Sequence, residues 1–380
     1  MEIILEKRIK MKQYRQNALY INTKNIAENY TTIRNSLSPG TKLLAVIKAN
    51  AYGHGLIETA KALSDNNVDG FCVATLEEAI SLREAEIHQD IFLLGNINKN
   101  SLKDAILNNI VICISNIDSL NNLIDIADKI KKTALVQIAI NTGMNRIGFN
   151  TKNEITKAKE LIALSKYVQL KMCFSHLAYC DEKSNDQNYI NEYTKEQISK
   201  FEELSSELNC PKSLANSAGI CRLPYKYDYA RCGIIMYGYP SVITNLKLKK
   251  ALEWHTEISN IMFISSGQKV GYECSYEAKK PMKIATISVG YGDGYLRALS
   301  NKASVIISNK YAKVIGKVCM DQIMVDITDI DEAKVGDDVI LIGRSENLEI
   351  SAEDLANLAG TISYEILLSP SNRVFRKYIN

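Results

Sequence analysis

The chain has 380 residues, 46% of them hydrophobic, and its 46 lysines and arginines nearly balance 43 aspartates and glutamates. This length and apolar content predict two domains with sizeable cores. The small net charge argues against a nucleic-acid-binding protein, and no apolar stretch approaches the roughly 18 residues that a membrane-spanning helix needs.

The cysteines and histidines indicate neither disulfides nor a metal site. The nine cysteines are scattered, odd in number and mostly placed in apolar runs without a CxxC pair, and only four histidines occur. This pattern is typical of buried, reduced thiols. We therefore expect a cytoplasmic protein that holds no metal ion.

The first segment is basic. Lysines and arginines cluster between Lys7 and Arg15, but no long apolar segment follows them, which argues against a secretion signal. We interpret residues 1–17 as a solvated arm. From Ile21 to Leu37, apolar residues recur at helical spacing and predict an N-terminal helix.

A regular alternation of strands and helices follows. Short aliphatic segments bounded by turn residues predict eight strands, and the amphipathic segments between them are long enough for crossover helices. The predicted strands are Lys42–Lys48, Gly70–Thr75, Asp90–Gly95, Ile110–Ser115, Ala134–Ile140, Val168–Ser175, Lys212–Ser217 and Tyr229–Met236. Eight consecutive units indicate a (β/α)8 barrel of the TIM type at residues 18–245, with its chemistry at the carboxyl ends of the strands.

Lys48 ends the first of these strands and precedes a glycine-containing turn. A buried ammonium group is costly unless it is paired, and the neutral amine is nucleophilic, so this position suits a lysine that forms a Schiff base. The alternative is a lysine that extends from the strand end into solvent. We expect the nearby His54 to be a turn residue or a hydrogen-bonding group at a helix start.

The pattern changes after Pro240. Segments beyond Leu252 have the character of strands separated by Gly, Asn and Asp, with few helical periods. They predict a mostly β second domain over residues 246–380. One helix is expected after Ser351, because Asp354 completes an N-terminal cap sequence.

Polar residues converge at the carboxyl ends of the predicted barrel strands. Loops after strands seven and eight of such barrels often bind phosphate through hydroxyl and backbone N–H groups, and Ser217-Ala218-Gly219 fits that need. A lysine that faces a phosphate subsite suits pyridoxal phosphate. On these grounds alone, a Schiff-base aldolase remains an alternative.

Eight motifs in order resemble the alanine racemase family and cover nearly the whole chain. They are AVIKANAYGHG (Ala45–Gly55), NTGMNRIG (Asn141–Gly148), SHLA (Ser175–Ala178), NSA (Asn216–Ala218), RCGIIMYG (Arg231–Gly238), GYECSY (Gly271–Tyr276), GYGDG (Gly290–Gly294) and CMDQ (Cys319–Gln322). The resemblance implies a pyridoxal 5'-phosphate enzyme that interconverts L- and D-alanine and supplies D-alanine for the bacterial cell wall. It also implies a homodimer in which each active site borrows residues from the second domain of the other subunit.

The same resemblance implies a role for individual residues. Lys48 holds the cofactor and is one catalytic base, while Tyr272, supplied by the other subunit, is the opposite base. The other expected cofactor contacts are Tyr52, Asn216, Ser217, Tyr364 and the backbone of Gly233 and Ile234 around the phosphate, with Arg231 at the pyridine nitrogen and His176 in support. Arg146 and Met320 are expected near the substrate carboxylate, and Tyr291 in the access channel.

The implied chemistry needs no metal. Racemisation removes a proton from one face of Cα and delivers one to the opposite face, so two acid/base groups suffice. Tyrosine and lysine have reference pKa values near 10, so a base of either type needs burial or nearby positive charge to act near neutral pH. Because an arginine keeps its proton, a pyridine nitrogen at Arg231 would stay unprotonated, which limits side reactions such as transamination.

The sequence departs from the family pattern at two places. Where many members carry a lysine modified to a carbamate, this chain has Ala139, and the nearby acidic position is Asn141. We expect Arg146 to be held instead by a small anion such as chloride, by a different carboxylate or by water. Near the C-terminus, Phe375 replaces the proline of a usual Arg-Val-Pro-Arg sequence, which we interpret as a tolerated change in an edge strand.

Other functions on the same fold remain as alternatives. They are a serine or broad-specificity racemase, an amino-acid decarboxylase, and a non-catalytic pyridoxal phosphate homeostasis protein that consists of a barrel alone. Tyr364 and the lack of an attached membrane segment favour alanine over serine. A second domain that bears Tyr272 argues against the barrel-only protein, and the motif order does not support a decarboxylase.

Overall fold

The computed structural model describes residues 15–379. Most of the basic arm expected over residues 1–17 therefore lies outside the described residues. The described residues form two compact units, one of residues 22–251 with 378–379 and the other of residues 15–21 with 252–377.

The first unit contains a closed parallel barrel. After a first strand that belongs to another sheet, β1 (Ala18–Asn22), the barrel strands are β2 (Lys42–Val46), β3 (Phe71–Val73), β4 (Ile91–Leu93), β5 (Val111–Ile114), β6 (Ala134–Ala139), β7 (Val168–Phe174), β8 (Lys212–Ser213) and β9 (Tyr229–Cys232). Neighbours pair in chain order, and Leu43 of β2 pairs with Ala230 of β9 to close the ring. Most of these residues are buried, as expected for strands covered on both faces. The predicted (β/α)8 barrel is confirmed.

Helices connect the barrel strands. They are α1 (Thr23–Asn35), α2 (Leu56–Ser64), α3 (Leu76–Glu84), α4 (Leu102–Leu107), α5 (Ile117–Ile130), α6 (Lys152–Leu164), α7 (Glu192–Ser205) and α8 (Ser217–Arg222). Capping boxes start α3 and α6, where Thr75 and Thr151 exchange hydrogen bonds with a glutamate three residues later. These caps satisfy backbone N–H groups that the first helical turn leaves open. Within residues 15–379, no helix combines the length and the apolar character needed to cross a bilayer.

The second unit is mostly β, as predicted. Its strands are β10 (Leu252–Ile264), β11 (Lys269–Val270), β12 (Tyr276–Glu277), β13 (Met282–Ile287), β14 (Ser304–Ile307), β15 (Lys310–Ile315), β16 (Ile323–Asp326), β17 (Asp338–Ser345), β18 (Leu348–Ile350) and β19 (Phe375–Ile379). Nine strands form one sheet in the order β18-β17-β14-β15-β16-β13-β10-β1-β19, and β11 and β12 form a separate ribbon. Phe375 thus begins an edge strand, the position expected for it.

Two features of this unit concern the chain ends. β1 pairs antiparallel with β10, with Ala18 opposite His255 and Ile21 opposite Leu252. This strand is not among those predicted from the sequence. Two helices, α9 (Ala352–Ala359) and α10 (Ser363–Leu368), lie near the C-terminus. The predicted cap of α9 is confirmed, because Ser351 and Asp354 form a capping box.

His255 in β10 lies between two carboxylates. Its side chain is only 17% exposed, with Nδ1 2.8 Å from Asp338 Oδ2 and Nε2 3.2 Å from Glu253 Oε2. Burial alone would lower the pKa of His255, but hydrogen bonds to both carboxylates raise this pKa to about 9. Because an unfolded histidine titrates near about 6.5, the interaction stabilises the fold fully below that pH and is lost as the pH rises through about 9.

We expect His255→Gln to remove this pH dependence. The difference between wild type and variant in the free energy of unfolding should fall by about 1–2 kcal/mol from about pH 6 to pH 10, after allowance for screening of the exposed carboxylates. Chemical unfolding of the cofactor-free protein, followed by circular dichroism, measures this difference. His88→Gln, at an exposed histidine without a carboxylate partner in residues 15–379, should show no such change. A difference that is constant with pH would contradict the assignment.

Candidate active site

The barrel places most of the predicted site residues along one edge. The residues that follow barrel strands on this edge are Lys48 after β2, Arg146 after β6, His176 after β7, Asn216 and Ser217 after β8, and Gly233 and Ile234 after β9. Arg231 lies within β9, and Tyr52 lies four residues beyond Lys48. Because the carboxyl ends of parallel strands meet at one edge of the barrel, these residues share the region where such barrels carry chemistry.

Lys48 begins a left-handed turn. Residues Ala49–Tyr52 all have φ between 51° and 54°. The Ala51 N–H donates to the Ile47 carbonyl oxygen over 2.8 Å, which closes one turn of the backbone. L-amino acids disfavour this conformation by about 1–2 kcal/mol each. The sequence predicted a turn here but not its hand.

His54 holds the carbonyl oxygens of this turn. Its buried ring places Nδ1 3.2 Å from the Ala51 oxygen and 3.0 Å from the Tyr52 oxygen, so Nδ1 carries the hydrogen that both oxygens accept. The ring packs on Tyr237 with centroids 4.4 Å apart, and the Tyr237 hydroxyl donates to the Val46 oxygen over 3.1 Å. His54 therefore has the turn role that was expected for it.

Gly233 leaves space beside two hydroxyl groups. A Cβ atom at this position would lie 2.7 Å from the Tyr52 hydroxyl and 3.7 Å from Ser217 Oγ. The Gly233 N–H donates to Ser217 Oγ over 3.1 Å. Two hydroxyls and a backbone amide thus converge at a position that only glycine leaves open, and groups of these types bind phosphate in proteins.

Asn216 acts through the helix that follows it. Its Oδ1 accepts the Gly219 N–H over 3.0 Å as the N-cap of α8, and its Nδ2 donates to the Leu177 oxygen over 3.3 Å. Both ends of the amide are therefore used within the protein. In this structure the side chain of Asn216 holds the start of α8, and with it Ser217, in place.

Arg231 is a buried guanidinium group bound by neutral acceptors. Nη1 donates to Ser213 Oγ over 2.6 Å, and Nη2 donates to the oxygens of Ser175 (2.6 Å) and Leu214 (3.3 Å). Nη2 also lies 3.5 Å from His176 Nδ1. Since arginine only donates, Nδ1 of His176 is the acceptor.

Burial and nearby charges shift the pKa values of the titratable groups at this edge. Burial lowers the pKa of Arg231 to about 10, which still leaves it protonated near neutral pH. Burial and the charge of Arg231 lower the pKa of His176 to about 3, with further contributions from Arg146 and Lys48. Burial, followed by the charge of Arg146, also lowers the pKa of Lys48. The site is thus a cluster of cations around a neutral histidine.

This cluster suits an anionic ligand. Within residues 15–379, no carboxylate lies within ion-pair distance of Lys48, Arg146 or Arg231. Of these three cations, Arg231 is buried, Lys48 is half-buried and Arg146 is exposed. A buried charge such as that of Arg231 is costly unless it is paired. A ligand with a phosphate and further negative groups would supply the missing charge, and the hydroxyls beside Gly233 would bind the phosphate. The residues present therefore fit pyridoxal phosphate.

The loop that carries Arg146 is organised by Asn141. Asn141 Oδ1 accepts the N–H groups of Gly143 and Asn145 over 3.1 and 3.0 Å. A cavity of about 20 Å³ lies beside Ala139, Asn141 and Arg146, large enough for about one water-sized species. Among the described residues no carboxylate pairs with Arg146, so the expectation of a different carboxylate has no candidate within this part of the chain.

The other predicted site residues belong to the second unit. They are Tyr272, Tyr291, Met320 and Tyr364, the last of which lies in α10. Tyr272 begins a 3-10 turn that ends at Cys274. Glu273 and Cys274 have φ of 60° and 50°, and the Glu273 carboxylate accepts from Arg297 over 2.9 Å and lies 3.5 Å from Lys317 Nζ.

Tyr291 and Met320 lie on two loops that bind each other. The Tyr291 N–H donates to the Cys319 oxygen over 3.0 Å, and the Gly292 N–H donates to the Met320 oxygen over 2.8 Å. The fully buried carboxylate of Asp293 accepts the Gly290 N–H over 3.0 Å and forms ion pairs with Arg15 and Arg373. These contacts fix the backbone on which both side chains are carried.

Glu273 and Gln197 are not among the residues predicted from the sequence. Glu273 carries no recognisable signal, because its left-handed backbone and its ion pairs arise from tertiary contacts. Gln197 does carry one: with Thr194, Phe201 and Leu204 it forms the buried stripe of α7. A glutamine inside such a stripe is a buried polar group that needs partners.

Comparison with known proteins gives the same family for both units. The profile of the alanine racemase N-terminal domain matches residues 21–241, and that of the alanine racemase C-terminal domain matches residues 251–378. The alanine racemase of Clostridium perfringens is 42% identical over 365 residues, which are 93% of this chain and 92% of that protein. The structure of alanine racemase from Clostridium difficile is 34% identical with a TM-score of 0.89 and 97% coverage of both chains. The Bartonella henselae alanine racemase structure, with covalently bound pyridoxal phosphate, is 30% identical with a TM-score of 0.86 and covers 96% of this chain and 99% of that one.

We expect Gly233→Ala to weaken binding of pyridoxal 5'-phosphate, because the added methyl group would displace the Tyr52 hydroxyl, 2.7 Å from the new Cβ position. Overpacking of this kind costs about 1–3 kcal/mol, or roughly five- to 150-fold in affinity. Titration of the cofactor-free protein, followed by absorbance, measures the dissociation constant. Gly95→Ala is the matched control, since its Cβ would make an ordinary 3.8 Å contact with the Ala74 oxygen. Equal affinities for both variants would contradict the phosphate role of this position.

Proposed function

Since the chain belongs to the alanine racemase family, we propose that it interconverts L- and D-alanine with pyridoxal 5'-phosphate as cofactor. It is a pyridoxal phosphate-dependent racemase, and thus an isomerase. The observation that carries the proposal is the left-handed turn, which places Lys48 at the barrel edge and brings the Tyr52 hydroxyl to Gly233. One turn thereby supplies both an amine and a phosphate contact.

The barrel residues would hold the cofactor at three points. Tyr52, Ser217 and the backbone of Gly233 and Ile234 would bind the phosphate, and Tyr364 of the second unit is proposed as a further phosphate contact. Lys48 would bind covalently through its amine. Arg231, fixed by four acceptors, would donate to the pyridine nitrogen without giving up its proton.

Two side chains are proposed to move the proton. When bound, the cofactor withdraws electrons from the substrate amino carbon and weakens its Cα–H bond. The lowered pKa of Lys48 increases the neutral fraction of its amine, which can accept a proton from Cα. Tyr272 is proposed to serve the opposite face, because inversion requires one acid/base group on each face.

Arg146 is proposed to contact the substrate carboxylate together with Met320. The cavity of about 20 Å³ at Ala139 and Asn141 has room for one small species, such as a chloride ion or a water molecule, beside the Arg146 guanidinium. We propose that this species takes the place of the carboxylate that a modified lysine would provide. The cation at Arg146 is a suitable partner for an anion, whereas the side-chain amide of Asn141 already donates to Asn145 Oδ1 and Asn150 Oδ1 over 2.9 and 2.8 Å.

We propose a homodimer with shared active sites. Tyr272, Tyr291 and Met320 expose 67%, 43% and 53% of their surfaces in the single chain. Exposed aromatic and methionine side chains of this size are typical of surfaces that bind a partner. A second copy of the chain would cover them and bring Tyr272 to a Lys48 of the other subunit. Tyr291 would then lie on the path of the substrate.

The alternatives have weaker support. Both unit profiles are those of alanine racemase, and the related proteins of Clostridium perfringens and Clostridium difficile are alanine racemases. A barrel-only pyridoxal phosphate protein would lack the second unit, which here spans residues 252–377 and carries Tyr272. Alanine racemisation is therefore the function that we test first.

We expect Lys48→Ala to abolish both covalent cofactor binding and racemisation. Tyr272→Phe should retain the cofactor but lower the rate of racemisation by about 100- to 10,000-fold. Borohydride reduction followed by mass measurement detects the lysine adduct. Loss of α-deuterium from each enantiomer of alanine and serine measures proton exchange. Tyr225→Phe, at another exposed tyrosine, is the control for the loss of a hydroxyl. Exchange that survives Lys48→Ala, or a preference for serine, would overturn the assignment.

Mixing the two inactive variants tests whether active sites are shared. In a mixed dimer, one of the two sites would combine the intact Lys48 of one chain with the intact Tyr272 of the other. We expect partial recovery of alanine racemisation after the Lys48→Ala and Tyr272→Phe proteins are unfolded and refolded together. Each variant refolded alone is the control. If the mixture stays as inactive as its components, Tyr272 does not act across subunits.

A further inference from the structure

A buried glutamine of α7 binds two loops at the carboxyl edge of the barrel. The Gln197 side chain is fully buried. Its Nε2 donates to the His176 oxygen over 3.1 Å and to Thr142 Oγ1 over 3.2 Å, and its Oε1 accepts the Ala178 N–H over 2.8 Å. Both ends of the amide are thus hydrogen-bonded. Nε2 binds the loop after β6 and the segment after β7, and Oε1 binds the segment after β7.

These contacts continue to the buried arginine. Thr142 Oγ1 lies 2.8 Å from Ser175 Oγ, and the Ser175 carbonyl oxygen accepts from Arg231 Nη2 over 2.6 Å. Ser175 directly precedes His176, whose Nδ1 also faces Arg231. Gln197 therefore connects, through Thr142 and Ser175, to the residue proposed to face the pyridine nitrogen.

The same face of α7 holds the Arg146 loop at a second point. Tyr193, one helical turn before Gln197, donates its hydroxyl to the Gly143 oxygen over 2.8 Å. Residues four apart share a helix face, so Tyr193 and Gln197 contact adjacent residues of one loop. The N-cap residue Asn191 adds a bond from its Nδ2 to the Tyr179 oxygen over 2.7 Å. Helix α7 thus holds both loops through its first two turns.

We propose that Gln197 is a positioning residue for the racemase reaction, which fixes the loop of Arg146 relative to His176 and Arg231; this inference rests on the proposed function. Neither loop has a regular backbone partner at these positions, whereas α7 is a rigid element. Loss of the amide would leave the Ala178 N–H and the His176 oxygen without this partner, which is unfavourable for polar groups away from water. The loops would relax, and the two ends of the substrate–cofactor site would separate.

Gln197→Met tests whether the Gln197 amide holds the two loops. Methionine has a similar length and a comparable helix propensity but cannot form the three hydrogen bonds. Amide hydrogen exchange of the full-length protein with its cofactor bound is the first readout. We expect exchange at Ala178 to rise about tenfold, the equivalent of one hydrogen bond. Glu196→Met, at an exposed neighbour in the same helix, is the matched control and should leave Ala178 unchanged.

Alanine kinetics and cofactor absorbance are the second readout. A displacement near 1 Å costs up to roughly 100-fold in rate, so we expect kcat/KM of Gln197→Met to fall about 10- to 100-fold. We also expect KM to rise, because Arg146 would move, and the absorption band of the bound cofactor to shift. Tyr193→Phe removes only the Gly143 contact. It should raise KM while leaving both the absorption band and the Ala178 exchange rate as in wild type.

The outcomes separate this inference from the proposed function. Unchanged Ala178 exchange in Gln197→Met, or faster exchange with wild-type kcat, KM and cofactor absorption, would overturn the positioning role. If Gln197→Met does not fold, Thr142→Val removes a single hydroxyl of the same network. Because this variant keeps the Ala178 bond to Gln197, its readouts are alanine kinetics and cofactor absorbance, and wild-type values of both would overturn the positioning role. A wild-type protein that does not racemise alanine would refute the proposed function, while Ala178 exchange would still report on the hydrogen bonds of Gln197.

Discussion

The left-handed turn between Lys48 and Gly53 is the constraint on which the site depends. Four consecutive non-glycine residues, Ala49–Tyr52, adopt a backbone that costs about 1–2 kcal/mol for each residue. Extended, these residues would carry the chain roughly 13 Å away from the strand, whereas a closed turn keeps Lys48 and Tyr52 at the same edge. The compensation is local: His54 binds two carbonyl oxygens of the turn, and its ring packs on Tyr237, which is bonded to β2.

The cations around this turn are unfavourable until a ligand binds. Arg231 is buried with neutral acceptors only. Burial, and after it the charges of Arg146 and Arg231, lower the pKa values of Lys48 and His176. A ligand with negative groups near these cations would reduce this repulsion, and a ligand that binds only the folded state also stabilises that state. Cofactor binding and barrel stability are therefore linked in this chain. The neutral His176 lets Arg231 stay charged without adding a further buried cation.

Sequence patterns predicted the architecture because they depend on local signals. Aliphatic runs bounded by turn residues located all eight barrel strands, and the cap at Ser351 located α9. They did not predict β1, which pairs with β10 across more than two hundred residues of chain, as Ala18 opposite His255 shows. Such pairing is decided by tertiary contacts rather than by the strand itself.

The candidate site likewise combines features that follow from local sequence with features that depend on distant contacts. The positions of Lys48 and Ser217 follow from strand ends, which are readable in the sequence. The hand of the turn after Lys48, the buried bonds of Gln197 and the ion pairs of Glu273 depend on partners far along the chain, so no local pattern reports them.

Both side chains proposed to move protons border left-handed, non-glycine backbone: Ala49 follows Lys48, and Glu273 follows Tyr272. Strain of this kind persists only where surrounding contacts over-determine it. Here the contacts are His54 at one turn and the pair Arg297 and Lys317 at the other. Proton exchange at one carbon requires two groups at fixed positions, and a strained turn held by specific bonds has fewer alternative conformations than a relaxed loop.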